Sequence, residues 1–314
     1  MTSSAGARGS ASLVMSVLLL AACGLSPTTV NPTTVSPTTV SPTMVSPTVA
    51  SSAGVRVLLT GTLGQYREDE VASRLQVSLL LASPAELHVT ALTLRWPGLA
   101  TQPTAPDYPL IPGLLVDLPV PYSNAVCGAD PAAAKAPAEP AHALVSSSDG
   151  ATVDLLLADP TGLLTRIFAA SCRLQAIAAS VSLRLVGPWV DVSVNGKPGN
   201  TGSLVVTRTG TSGRVVRITA VAGGGVLLDL VAGHAGALPL VLPADGSGAR
   251  LPVGIVATGR CDGHAFGESK KTWVFYVDVD PGDGVVTPVP VSPVQADRAQ
   301  LYRRLQLACG TLTG

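Results

Sequence analysis

The most regular pattern in the chain is an alternation of apolar and polar positions. Leu75, Val77, Leu79 and Leu81 alternate with Arg74, Gln76, Ser78 and Leu80. A period of two predicts a strand with one face in a core. Ser83-Pro84-Ala85 then marks a turn, and Leu87, Val89 and Ala91 resume the alternation. The parity changes at Leu92, Leu94 and Trp96, which predicts a bulge near Ala91-Leu92. Further strands are expected at 55–60, 116–120, 153–157 and 180–186, with a short helical turn at 163–170. The second half predicts strands at 190–194, 203–207, 215–221, 226–231, 238–242, 253–258, 272–280 and 285–291, then a helix at 297–308. Asp280-Pro281-Gly282-Asp283-Gly284 reads as a hairpin turn, and so does Gly223-Gly224-Gly225.

Short strands separated by Gly/Pro turns, with helices few and brief, define an all-β protein. Composition agrees, because Val, Leu, Ala and Thr carry the pattern and aromatic residues are only 4% of the chain. The expected architecture is a β-sandwich, Ig-like in the loose sense. Trp96, Trp189 and Trp273 do not sit between paired cysteines at like positions, so the antibody-type pattern is not met. The 46% hydrophobic content is enough for sizeable cores. A formal net charge of zero, with charged residues at 13%, provides no basic face for nucleic acid. Four lysines against sixteen arginines, with abundant Ala, Gly and Pro, suggest the coding bias of a GC-rich genome.

The N-terminus departs from this pattern. Residues 13–22, Leu13 to Ala22, form an almost unbroken apolar run behind a small, polar start with one cation, Arg8. Ten helical residues rise about 15 Å, half of a hydrocarbon core of roughly 30 Å, so the run has the length of a signal-peptide core rather than a membrane span. Leu20-Ala21-Ala22-Cys23 resembles the lipobox of bacterial lipoproteins. The resemblance covers only the first 23 residues. It implies removal of residues 1–22 as a signal peptide and a diacylglyceryl (palmitate-type) modification on Cys23. The protein would then be held on the outer face of the cell membrane. No twin-arginine pair is present, which favours general secretion.

Residues 23–53 follow as a linker. From Ser26 to Val49 they are built of pentapeptides such as Ser26-Pro27-Thr28-Thr29-Val30. Proline at every fifth position disfavours helix and ladder, and one Val per repeat cannot build a core. An extended tether is expected, spanning up to about 90 Å. Its Ser/Thr-Pro content also suits O-glycosylation.

The other four cysteines fall into two pairs of nearly equal spacing. Cys127 and Cys172 are 45 positions apart, and Cys261 and Cys309 are 48 apart. Leu118-Pro119-Val120 precedes the first pair much as Leu251-Pro252-Val253 precedes the second. These are the marks of a duplication, predicting sandwich domains at 54–187 and 188–314 that meet near Gly187-Pro188. In an oxidising compartment the pairs would be structural disulfides. No C-x-x-C occurs to suggest redox chemistry or zinc.

Candidate chemistry is sparse. Asp262, His264 and Glu268 form the densest polar cluster, readable as a metal or acid/base site or as a polar loop. Asp278, Asp280 and Asp283 gather carboxylates, but Gly282 and Val289 stand where a calcium loop of the EF-hand type needs ligands. No G-x-S-x-G is present, and His88, His142, His234 and His264 are scattered. The loop at 129–151 and its counterpart at 263–271 are the expected places for specificity. The favoured expectation is a membrane-anchored binding or envelope-interaction module without catalytic residues, cofactor or metal. It would meet an envelope protein or a glycan. The alternative is an extracytoplasmic hydrolase or metal-dependent enzyme using Asp262, His264 and Glu268.

Overall fold

The computed structural model describes residues 48–52, 55–194, 196–210, 213–233, 238–269 and 271–311. Cys23 and most of the pentapeptide segment lie outside the described residues. The first part runs β1 (Thr48–Ser52), β2 (Val55–Gly64), α1 (Arg67–Ala72), β3 (Arg74–Leu81), β4 (Leu87–Arg95), β5 (Leu99–Thr101), β6 (Tyr108–Leu110), β7 (Leu115–Ala125), β8 (His142–Ser147), β9 (Thr152–Ala158) and α2 (Leu163–Ser180). The strands connect in the order β5-β7-β3-β2-β9-β8-β4-β6, with β1 beside β2. Every contact is antiparallel except a short parallel join, Gly61 with Leu157 and Thr62 with Ala158. The strands approach closely at Gly61: a Cβ would fall 2.5 Å from Leu157 Cδ2 and 2.8 Å from Leu155 Cδ2, so those side chains would have to shift.

Several expectations hold residue by residue. The Leu75–Leu81 alternation is β3, and its odd-numbered members are buried. The bulge appears as a register shift between Val89 and Ala91 against β8. Others need correction. The last residues of the 23–53 linker form a strand, because Thr48–Ser52 pairs with β2 from Thr48 opposite Leu59 to Ser52 opposite Val55. The expected loop at 129–151 contains β8, whose Ala143, Val145 and Ser147 alternate into the interior. The helical turn at 163–170 is an 18-residue helix. Its N-terminus is capped from a distance, with the Asp159 carboxylate accepting from the N–H groups of Leu163 (2.7 Å) and Leu164 (2.9 Å).

The second part runs β10 (Val181–Val194), β11 (Lys197–Arg208), β12 (Val216–Ala222), β13 (Leu228–Ala232), β14 (Leu240–Leu242), β15 (Gly248–Ala257), α3 (Gly263–Glu268), β16 (Phe275–Asp280), β17 (Thr287–Val291) and α4 (Gln295–Ala308). Its sheets are β10-β11-β15-β13 and β14-β12-β16-β17. Adding eight to each strand number converts the first path into the second: β5-β7-β3-β2 becomes β13-β15-β11-β10, and β9-β8-β4-β6 becomes β17-β16-β12-β14. The parallel join recurs as a single bridge between Leu185 and Pro293. The duplication is therefore a duplication of topology.

Two boundaries move. β10 extends on both sides of Gly187-Pro188, with a shift of register against β11 between Val186 and Val190, so the sheets change at α2 and not at that dipeptide. Gly223–Gly225 is not a hairpin turn, because it carries the chain from β12 in one sheet to β13 in the other. Each part has its own core. Leu59 to Cys172 contribute to the first and Ile177 to Leu305 to the second, so α2 feeds both. In the second core, Leu204, Leu230 and Val253 come from one sheet, and Ile218, Leu242, Val277 and Val291 from the other. In the first, Trp96 meets Phe168 of α2 edge to face, centroids 6.0 Å apart.

Candidate functional site

Disulfides brace the frame at equivalent points. Cys127, just beyond β7, is bonded to Cys172 in α2. Cys261, just beyond β15, is bonded to Cys309 at the end of α4. This is the pairing that the spacing predicts. In both repeats it ties the end of the sixth common strand to the closing helix.

Asp262, His264 and Glu268 fall on one short helix, α3, where a loop was expected. Asp262 is its N-cap, accepting from Ala265 N at 2.8 Å. That bond, helped by Arg260 at 3.7 Å, holds its carboxyl below the usual range. His264 and Glu268 are exposed on the same turn. Glu268 borders a cavity of about 50 Å³ with Arg67, Gly224, Gly225, Ser269 and Lys271, room for about a water molecule or two rather than a substrate. Among the described residues, no group of three or more His, Cys, Asp or Glu side chains is placed to hold a metal ion. His88 pairs with Asp107 at 2.7 Å and His142 with Asp154 at 2.9 Å, both exposed. His234 lies outside the described residues.

The Asp278–Gly284 carboxylates build a turn. Asp280 accepts from the N–H groups of Gly282 (2.8 Å) and Gly284 (3.0 Å). Both glycines have positive φ, +98° and +79°, which a side chain would strain. Asp283 takes the Arg173 guanidinium of α2 in a two-pronged pair and also accepts from Val285 N at 3.0 Å. Arg173 Nε donates to Thr287 Oγ1 at 2.9 Å. One arginine of the first repeat thus holds the β16–β17 turn of the second. Lys271 adds a second link between repeats, to Glu70 of α1 at 2.6 Å.

The hydrogen bonds from Arg173, then that from Val285 N, push the Asp283 carboxyl down to about 2. A carboxylate with a depressed folded pKa stabilises at pH above its unfolded value, about 3.9. That stabilisation is lost as pH falls through the folded value. The wild type should therefore lose stability between about pH 4 and pH 2 faster than Arg173→Ala, whose Asp283 keeps only the Val285 bond and is held down less. Urea unfolding at stepped pH, read beside the carbon chemical shift of the Asp283 carboxyl, tests this. Parallel slopes for the two proteins would contradict it.

A larger feature lies on the first repeat, at a place none of the sequence motifs marks. A groove of about 660 Å³ opens on the outer side of the first repeat. Leu115, Asp117 and Pro119 of β7 line it with Thr104, Pro106 and Tyr108, which lead into β6. The alternation of β7 explains this wall, since Val116, Leu118 and Val120 are buried while the odd-numbered residues face outward. Arg74, paired with buried Asp69 at 3.1 Å, also lines it. Asp117 accepts from the hydroxyls of Tyr66 and Ser78, and its bond and charge raise the Tyr66 phenol. The turn joining β6 to β7 leaves Ile111, Leu114 and Leu115 exposed by 50%, 50% and 59%. A signal was present in Tyr108-Pro109-Leu110-Ile111-Pro112-Gly113-Leu114-Leu115, which stays apolar through a turn where polar residues are the rule.

No protein-family model matches this sequence, and no curated protein matches it. Among solved structures, the chain is similar to a protein of unknown function from Porphyromonas gingivalis W83, at 13% identity and a TM-score of 0.21. That match covers 76% of this chain and 98% of the other. It is also similar to CBD12 from CALX1.2 (12%, TM-score 0.19, 76% and 89% covered). A third match is the YadV chaperone (14%, TM-score 0.17, 74% and 98% covered). Scores this low establish no common fold, so the functional reading rests on the chain's own geometry.

Proposed function

We propose that the protein is a lipid-anchored, extracytoplasmic binding module made of two β-sandwich domains. The observation that carries this reading is the pairing of four cysteines into two matched disulfides, which leaves Cys23 as the one cysteine of the sequence not used in them. Disulfides fit an oxidising compartment, and an unpaired cysteine behind an apolar run is what lipid attachment requires. The sandwich reading is supported by two four-strand sets sharing one core in each repeat. From Cys23 to β1 the chain is long enough to reach roughly 75 Å when extended, so the tether would hold the repeats clear of the bilayer.

Binding is favoured over catalysis because three of the carboxylates singled out for chemistry are engaged structurally. Asp262 caps a helix, while Asp280 and Asp283 build a turn. The first-repeat groove has the size and mainly apolar lining of a recognition surface for an envelope partner. Replacing Cys23 with Ala should move the protein from the membrane fraction to the soluble or secreted fraction. Equal partitioning of both proteins into membranes would reject the anchor.

A further inference from the structure

We infer that the β6–β7 face of the first repeat is a homodimer surface, each copy seating its Ile111–Leu115 turn in the groove of the other. The inference rests on reading the groove as a binding surface and gives that surface its partner, a second copy of this chain.

The duplication supplies an internal control. The equivalent turn of the second repeat joins β14 to β15 and reads Pro243-Ala244-Asp245-Gly246-Ser247. Each turn is bonded to the end of the equivalent strand, with the donor reversed: Gly113 N of the turn donates to Leu81 O of β3 (2.8 Å), and Arg208 N of β11 donates to Ser247 O of the turn (2.9 Å). In the second repeat, Arg208 also ties down the turn through Pro243 O (2.7 Å) and Gly246 O (3.0 Å). The topology is therefore satisfied by a polar turn. The aliphatic side chains at Ile111, Leu114 and Leu115 are not demanded by the fold, and their exposure opposes solubility.

The arrangement of the face favours a second copy as the occupant. The exposed aliphatic turn borders a mainly apolar groove, with Leu114 and Leu115 belonging to both. That is the requirement of an isologous pair, in which a two-fold axis brings each turn to the other copy's groove. Tyr66 and Tyr108 extend the patch at 53% and 43% exposure. Five half-exposed large side chains offer on the order of 100 Å² each. About 500 Å² per copy, roughly 1,000 Å² in the pair, lies at the small end of specific interfaces, so the dimer is weak and reversible.

Backbone pairing is disfavoured. β7 is bonded to β3 along Leu115–Pro121, and β5 covers it only from Tyr122 onward. The uncovered stretch carries Pro119, which has no N–H to donate, so the edge resists strand addition and open-ended growth. A closed dimer made by side chains is the geometry that remains.

Sedimentation equilibrium of the chain carrying Cys23→Ser, from about 1 to 500 µM, tests the inference, since weak interfaces of this size associate in the micromolar range. The expected result is a concentration-dependent monomer–dimer equilibrium with no larger species. Leu114→Asp should weaken it at least tenfold, whereas Ala244→Asp in the second-repeat turn should leave it unchanged. Circular dichroism and intact disulfides confirm that each variant is folded. A monomer at every concentration, or a dimer indifferent to Leu114→Asp, overturns the proposal. A hydrophobic dye separates this failure from failure of the groove reading: dye binding that Leu114→Asp abolishes in a monomeric protein retains the groove and removes the dimer. The anchor is tested apart from both, by membrane partition.

Discussion

Replacing Cys127 and Cys172 together with Ala should lower stability by about 4 kcal/mol, and replacing Cys261 and Cys309 should cost a similar amount. The two loops close over 45 and 48 positions, so the chain-entropy term is nearly the same for each. The first pair should have the larger total effect. Both of its cysteines are buried, whereas Cys309 is only half-buried, so Ala at Cys127 and Cys172 also removes core contacts. The pair locks α2, which supplies Leu164 and Phe168 to the first core and Ile177 to the second. Its loss should therefore loosen the connection between repeats as well as the first repeat. Urea unfolding of both variants beside the wild type measures this, and an unchanged midpoint in either variant would contradict it.

Phe275→Ala should cost about 3–5 kcal/mol, the range for removing a large side chain from a closed interior. Phe275 starts β16 opposite Val291 of β17 and is completely buried. It belongs to the second core alone. Hydrogen exchange should therefore show lost protection in β12, β16 and β17, with β3 and β7 largely retained. Equal loss in both repeats would mean that the two cores behave as one. Arg173 and Lys271 join the repeats through polar contacts at their surfaces, which couple orientation more than core stability.

What could be read from the sequence follows from physical range. β3 and the bulge in β4 were visible because alternation is local. The disulfides and the duplication were visible because cysteine spacing and the Leu-Pro-Val flanks survive as one-dimensional marks. α2 was underestimated because its cap is Asp159, upstream of the Gly162 that directly precedes the helix, so no adjacent capping residue marks its start. β8 was missed because His142–Ser147 follows a stretch dense in Ala and Pro, and its strand character comes from pairing with β4 and β9. The Gly223–Gly225 error has the same cause, since a tight turn and a crossing between sheets use the same residues. Asp262 could be picked out as polar, but its employment as a cap needs α3 to exist. The groove was hidden because its walls come from β6 and β7, which are consecutive in sequence but separated by five strands along the strand path, and only the folded sheet sets them around one space.

The most direct test of a lipid-anchored extracytoplasmic protein is the mass of its N-terminal peptide, recovered from the membrane fraction. The account predicts a mature chain beginning at Cys23, with a diacylglyceryl group on the thiol and residues 1–22 removed. An unmodified Cys23 inside a longer N-terminal peptide, or a mature chain beginning beyond Cys23, would contradict it.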